Sequence, residues 1–157
     1  MMIVTDETVK QRWYDKLTDE YELQAIVLAH YLAEGDNRVD YDEAQHHFDS
    51  QNYLVLTDEE ADEAVREEIE EMLWAFNSSF LAGETGIDED VFLALFNNGK
   101  CESNNDAIAS LIKSTCGLQE FVDSAAGHDG RGHFLDVNLE ENEITFNGIT
   151  YYIYGRI

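Results

Sequence analysis

Apolar residues recur at helical spacing over most of the chain and at strand spacing only near its end. The longest apolar stripe runs from Ala61 to Phe80 in steps of mostly three and four residues, which is the period of one helix face. Thr57 and Glu60, three residues apart just before it, have the spacing of a capping box. The pattern predicts a helix that begins after Thr57, runs to about Leu81 and buries the stripe.

Shorter apolar runs with their own start and stop signals predict further helices on both sides of this one. Thr5 is placed to cap a first helix, and Gly35 is placed to end a second. Beyond the long helix, Ser103 with Asp106 three residues on is expected to open another helix. Gly127 is expected to stop the last one. Most of the chain is therefore predicted to be helical.

The apolar period changes to two after Gly130. Residues 135–139 alternate between apolar and polar, which predicts a first strand. Asn147-Gly148 lies between two further strand-like segments and is the strongest short signal for a type I′ hairpin, in which Phe146 faces Ile149. The predicted fold is α+β: a helical body with a C-terminal three-stranded antiparallel β-meander.

The predicted hairpin register divides its side chains between two faces. One face is apolar and is expected to pack on the helices; it consists of Ile144, Phe146, Ile149, Tyr151 and Ile153. The other face is expected to be half exposed; it consists of Glu143, Thr145, Thr150, Tyr152 and Tyr154.

The length of 157 residues is that of one domain, and no repeat or low-complexity linker divides the chain. We therefore expect a single domain over residues 1–157, with a helical N-terminal part at 1–50 and a second part at 53–157.

No apolar run reaches the length of a membrane span, and the first residues lack the basic and apolar regions of a signal peptide. A cytosolic protein is expected. Cys101 and Cys116 are too few for a disulfide scaffold and are expected to be reduced thiols.

The charge of the chain is strongly one-sided. Its 34 Asp and Glu against 9 Lys and Arg give a net charge of −25. This balance excludes ordinary nucleic-acid binding, because that needs a basic surface to neutralise phosphates. It also disfavours docking on an anionic membrane.

The densest charge lies on the predicted long helix. Residues 58–71 hold one base, Arg66, and nine acids: Asp58, Glu59, Glu60, Asp62, Glu63, Glu67, Glu68, Glu70 and Glu71. The segment spans ~21 Å at the helical rise, so one carboxylate falls about every 2.3 Å of axis. B-form DNA carries one charge per ~1.7 Å of axis. Like-charge pairs at i,i+4, such as Glu63 and Glu67, oppose the helix by ~0.2–0.5 kcal/mol each.

We interpret these nine acids as a partner-binding surface that imitates a phosphate backbone and occupies a basic groove on another protein. Complementary charge would speed the encounter in a salt-dependent way. The alternative interpretation is that the acidity confers only solubility. A surface that serves only solubility more often mixes the two signs, which favours the first interpretation.

The turn from His128 to His133 offers a different candidate site. Arg131 could bind an anion with two hydrogen bonds, and His128 and His133 could exchange protons near neutral pH, with Asp129 beside them. A small enzyme or an anion or nucleotide binder could use these four residues. The turn has no phosphate-loop lysine, no nucleophile elbow and no third zinc ligand. The competing interpretation is a tight structural turn in which Arg131 pairs with a neighbouring carboxylate.

Four segments carry a resemblance to a known group of proteins: Tyr53–Ala61, Trp74-Ala75-Phe76, Asp129–Leu135 and Tyr151–Tyr154. They resemble segments of small, mostly uncharacterised accessory proteins of tailed bacteriophages. The chain departs from that group at Asp136-Val137-Asn138, where a Tyr-Asp-Gly turn is usual. The resemblance covers residues 53–157 and implies a phage protein in the cytoplasm of the host cell, where small acidic proteins often inhibit defence nucleases. It implies no catalytic residue.

The expected function is therefore that of a non-enzymatic inhibitor which binds a basic host protein. The expected partner is a nuclease, a CRISPR-type effector or another DNA-binding protein. No cofactor, no metal, no direct nucleic-acid contact and no membrane contact are expected, and a homodimer stays open. The sequence leaves two alternatives: a small enzyme or ligand binder at the glycine turn, and a phage accessory protein whose acidity only confers solubility.

Overall fold

A computed structural model of the chain describes residues 7–33, 38–97 and 99–157, with residues 7–13 described by their backbone. The described chain divides into two compact units. The first comprises the residues up to Ala61 together with Asp136–Ile157, and the second comprises Asp62–Leu135. Helices and one three-stranded antiparallel sheet make up the structure, which confirms the predicted α+β class.

The first unit places three helices and a sheet together. Its elements are α1 (Glu7–Glu20), α2 (Leu23–Leu32), α3 (Tyr41–Asp49), β1 (Tyr53–Thr57), β2 (Asn142–Phe146) and β3 (Ile149–Gly155). The strand order is β1-β3-β2, so the last strand in the sequence is the central strand of the sheet. The prediction of a strand at residues 135–139 is wrong. The third strand of the sheet is instead β1. The run Tyr53–Thr57 is apolar without alternation, and it pairs antiparallel with β3 from Tyr53 opposite Gly155 to Thr57 opposite Tyr151.

The predicted hairpin between β2 and β3 is confirmed. Asn147 and Gly148 both have positive φ, 50° and 77°, as a type I′ turn requires. Phe146 pairs with Ile149, and the register continues to Asn142 opposite Ile153. The two turn residues therefore fix which side chains face the helices.

The apolar face of the sheet packs on α2 and α3. The buried cluster consists of Val27, Leu28, Ala29, Ala44, Val55, Tyr151 and Ile153, with Ile144 and Phe146 packed against it. Ile149, at the end of this face, is half exposed. Tyr154 lies on the opposite face, which was predicted to be half exposed. This residue is instead fully buried. Its hydroxyl donates a hydrogen bond to Glu141, so the buried oxygen has a partner.

The described residues of the second unit form helices joined by turns. The helix α4 (Asp58–Glu71) leads into it, followed by α5 (Ser78–Thr85), α6 (Glu89–Leu95), α7 (Asn105–Lys113), α8 (Leu118–Asp129) and α9 (Arg131–Leu135), with single 3₁₀ turns at Leu73–Ala75 and Glu102–Asn104. An aromatic cluster lies in its core. The ring of Phe121 lies 5.2 Å from Phe76 and 5.5 Å from Phe80 in edge-to-face geometry, and Phe76 also contacts Phe134.

The long helix predicted to reach Leu81 ends at Glu71, ten residues earlier. The side chain of Asn105 explains the break. Its Nδ2 donates to the Glu70 carbonyl at 2.8 Å, and its Oδ1 accepts from the Trp74 amide at 3.2 Å. One side chain thus satisfies backbone groups on both sides of the break, which a continuous helix would have paired internally.

Two other predicted helix boundaries are also wrong. Gly127 does not stop α8, which continues to Asp129 and ends at Gly130, where φ is 82°. Residues Glu102–Asn104, which include Ser103, form a 3₁₀ turn before α7. The predicted cap at Thr5 and stop at Gly35 lie outside the described residues. Across the described ranges, no helix is both long enough and apolar enough to cross a bilayer.

Candidate functional site

The helix α4 begins at the capping box that the sequence predicts. The Thr57 amide donates to Glu60 Oε1 at 3.0 Å, and the Glu60 amide donates to Thr57 Oγ1 at 3.3 Å. Two of the otherwise unpaired donors at the helix start are satisfied in this way. Thr57 is also the last residue of β1, so the helix begins directly where the strand ends.

A buried stripe fixes which side of α4 faces solvent. Ala61, Val65 and Ile69 are essentially inaccessible, as predicted. Because residues four apart lie on the same face of a helix, the acids between these positions are turned outward. Most of them are exposed: Asp58, Glu59, Glu60, Asp62, Glu63, Glu67 and Glu71. Glu68 and Glu70 are half-buried.

At least two of the nine acids are bonded to arginines of the same unit. Arg131 Nη1 lies 3.0 Å from Asp62 Oδ1, and Arg66 Nε lies 3.2 Å from Glu70 Oε1. The hydrogen bond to Glu70, together with the charges of Glu70 and Glu63, raises the pKa of Arg66 above its ordinary value. These ion pairs offset part of the charge of α4, while Glu59, Glu63, Glu67 and Glu71 are exposed.

The remaining acids include a regular line along one edge of the helix. Glu59, Glu63, Glu67 and Glu71 recur at every fourth position, and all four are exposed. We call these four residues the acidic row. Successive members are ~6 Å apart along the axis, so the row spans ~18 Å. Each neighbouring pair costs ~0.2–0.5 kcal/mol in an isolated helix, and the acids of the last turn also oppose the helix dipole.

The glycine-containing turn from His128 to His133 does not lead into a strand, as the sequence predicts. Its Arg131 side chain does form the ion pair that the structural interpretation predicts. Residues Arg131–Leu135 form the short helix α9 after Gly130, where a strand was expected. The Arg131 side chain is only 14% exposed and bonds Asp62, which confirms the predicted pairing with a carboxylate. The guanidinium of Arg131 is thereby engaged within the fold.

The other three polar residues of the turn have contacts of their own. The ring of His128 is exposed and meets the edge of Phe80 at 5.9 Å. Asp129 and His133 border a small pocket of about 160 Å³ that Phe76 and Phe134 also line. The pocket contains two of the four predicted residues, while His128 and Arg131 are not among those that line it.

Two of the other histidines and one cysteine have hydrogen-bond partners within the fold. His30 Nε2 lies 3.0 Å from the Tyr41 hydroxyl, and burial lowers the pKa of His30. His47 Nδ1 lies 3.0 Å from Asn52 Nδ2. Cys101 accepts a hydrogen bond from Ser103, which lowers the pKa of the thiol. No cluster of three or more His, Cys, Asp or Glu side chains is placed to hold a metal ion in the described part of the chain.

The sequence prediction missed the role of Asp136. Its buried carboxylate accepts from the amides of Asn138 at 2.7 Å and Gly155 at 2.6 Å, and more distantly from Glu140 at 3.4 Å. The spacing of Asp136 and Asn138 is that of an Asx turn, a signal that the alternation of residues 135–139 obscured.

No protein-family model, curated protein or solved structure matches this chain. Its charge distribution and its surface geometry are therefore the observations from which a function can be inferred.

Proposed function

We propose that the protein binds a basic, nucleic-acid-binding surface of another protein through α4 and keeps nucleic acid out of it. The observation that carries the proposal is the acidic row Glu59, Glu63, Glu67 and Glu71, held on a helix whose opposite face is buried. A rigid display of charge loses little conformational freedom on binding, so more of the electrostatic attraction appears as affinity.

The charge density of α4 supports a nucleic-acid mimic over a generally acidic surface. Its nine acids lie within ~21 Å, one per ~2.3 Å of helix axis. This spacing falls between the ~1.7 Å per charge of duplex DNA and the ~3.4 Å per charge along one of its strands. A cationic groove that follows a phosphate strand therefore meets a similar linear charge on α4.

The biological setting that we propose is a bacteriophage infection, with the protein acting in the host cytoplasm as an inhibitor of a defence system. The partner would be a nuclease, a CRISPR-type effector or another DNA-binding protein. This setting is supported by the resemblance of residues 53–157 to phage accessory proteins and by the net charge of −25, which suits a basic partner.

A charge-matched pull-down tests the proposal. The immobilised wild-type protein is compared with two triple variants. E63Q/E67Q/E71Q removes the charge at three positions of the acidic row, and D106N/E120Q/E143Q is the control. The control substitutes three exposed acids outside α4 and changes the net charge by the same amount. Bacterial lysate is applied at low salt, and bound proteins are released with duplex DNA or with salt of about 0.5 M, where charges are screened within ~4 Å.

We expect the wild-type protein and the control to retain the same DNA-binding protein and E63Q/E67Q/E71Q to lose it. Duplex DNA should displace that protein, because it competes for the same basic groove. Equal retention by all three variants would show that α4 is not the contact. Equal loss in both triple variants would show that total charge, not its placement on α4, determines binding.

A further inference from the structure

The hydrogen-bond pattern of the sheet determines which backbone groups of β2 lie outside the ladder. In an antiparallel pair, residues that exchange backbone hydrogen bonds alternate with residues whose amide and carbonyl point away from the partner strand. Phe146 and Ile149 flank the two-residue turn and therefore form a hydrogen-bonded pair. Counting back along β2 from this pair, the amides and carbonyls of Thr145 and Glu143 point away from β3. We call these outward backbone groups the β2 edge.

The other outer strand, β1, is largely closed to a further strand. The Arg156 amide donates to the Asn52 carbonyl at 2.8 Å, so the same alternation turns the backbone groups of Val55 and Thr57 away from β3. Val55 is only 3% exposed, and the Thr57 amide already donates to Glu60. The two edges of the sheet therefore differ in what can reach them.

The β2 edge is open to solvent and held in place. Glu143 and Thr145 are both exposed, and among the described residues β2 pairs only with β3. The core face of the strand is fixed, because the Phe146 ring centroid lies 5.1 Å from that of His30 and 6.4 Å from that of Tyr14. Natural sheets often block an exposed edge with proline or lysine, and β2 contains neither. The edge is thus preorganised to pair with another strand.

We propose that the β2 edge binds an extended segment of another protein, which adds to the sheet as a fourth strand and carries lysine or arginine beside Glu143. Each outward residue offers one backbone donor and one backbone acceptor, which is the hydrogen-bonding pattern that an extended chain satisfies. Glu140 and Glu141 precede the strand, and residues 136–155 contain no lysine or arginine. The local charge therefore favours a basic segment.

A second copy of the chain is a less favourable occupant. Pairing two copies through this edge would bring together chains that each carry a net charge of −25. Their repulsion opposes association, whereas a basic segment is attracted. The inference concerns backbone groups of the first unit, goes beyond the function proposed for α4 and does not depend on it.

Two labelled peptides, compared by fluorescence anisotropy, test the proposal. The first probe is a short peptide that alternates lysine and valine, a composition that favours an extended chain. The second probe has the same sequence with every backbone amide N-methylated, which removes its main-chain donors without changing its charge. A peptide held by charge alone, on α4 or elsewhere, binds equally in both forms.

Substitutions at two positions test the edge in the protein itself. T145P removes the outward amide hydrogen, and because that amide points away from β3 the ladder between β2 and β3 is kept. The matched control T145A changes the same side chain and keeps the amide. E143K keeps the backbone and reverses the charge that faces the basic segment. Circular dichroism checks that each variant is folded.

We expect wild type to bind the unmethylated probe about tenfold or more tighter than the methylated one. T145P should weaken binding of the unmethylated probe about fivefold or more, and T145A should change it less than about twofold. E143K should weaken it at least about threefold. In hydrogen exchange, this probe should slow the Glu143 and Thr145 amides and leave the Ile144 amide, which already bonds β3, unchanged.

Four results would overturn the proposal. One is equal affinity for the two probes, or no binding of either. Another is a folded T145P that binds the unmethylated probe within about twofold of T145A. The third is loss of the difference between the probes in E63Q/E67Q/E71Q, which would assign the contact to α4. The last is a wild-type dimer in sedimentation velocity that T145P abolishes, which would identify a second copy as the occupant.

Discussion

Removing the Asp136 carboxylate should destabilise the first unit more than removal of any exposed acid. Asp136→Ala leaves two amides, those of Asn138 and Gly155, without the acceptors that they have at 2.7 and 2.6 Å. The residue is only 8% exposed, so water replaces the lost oxygen poorly. The third contact, from the Glu140 amide at 3.4 Å, is long and adds little.

The size of the loss follows from these two strong bonds. A hydrogen bond to a charged group contributes ~1.5–3 kcal/mol, and a buried donor left unsatisfied costs a similar amount. Because two such donors lose their acceptor and some water enters, we expect Asp136→Ala to lower the free energy of unfolding by about 3–5 kcal/mol. Asp136→Asn keeps one oxygen and should cost about half as much.

Urea denaturation followed by circular dichroism measures the loss, and hydrogen exchange at the Asn138 and Gly155 amides localises it. Asp129→Ala, an exposed acid of the second unit, serves as the control and should change stability by less than about 0.5 kcal/mol. A loss below about 1 kcal/mol in Asp136→Ala, or unchanged exchange at both amides, would refute the assigned role of this carboxylate.

Three further predictions concern the first unit and its junction with α4. Gly148→Ala should cost ~1–2 kcal/mol in urea denaturation because φ is 77° there, while Asn147→Gly should be nearly neutral; equal effects would contradict the type I′ assignment. Thr57→Ala should cost ~1 kcal/mol by loss of the cap, and the exposed Thr145→Ala should cost less. Burial lowers the pKa of His30, so this imidazole binds a proton more readily in the unfolded chain than in the folded one. Stability should therefore fall as pH drops below about 6.5, by at most ~1.4 kcal/mol per pH unit, and an unchanged profile in His30→Leu would contradict this.

The parts of the fold that local sequence predicted are those fixed by neighbouring residues. The capping box at Thr57 and the hairpin at Asn147-Gly148 depend on contacts within three residues, and both are confirmed. The buried stripe of α4 was also predicted, because helical periodicity is a local property. The binding of the acidic row to a basic surface on another protein stays a prediction.

Contacts between residues distant in sequence account for the errors. The partner of β3 is β1, which ends at Thr57 while β3 begins at Ile149, and no local pattern pairs two such segments. The end of α4 depends on Asn105, which is 35 residues from Glu70. A short apolar run such as Tyr53–Thr57 between polar residues is a recognised strand signal, so the strand itself could have been predicted, although its partner could not.

The strand order has a consequence for how the protein is made. The second unit is continuous in sequence, so it can fold as soon as its helices leave the ribosome. The first unit must wait, because β3 is the middle strand of its sheet and is translated after both neighbours. Until β3 emerges, β1 and β2 have no partner to join them. A premature stop before Ile149 would therefore release a chain with its helical unit intact and two strand edges exposed to aggregation.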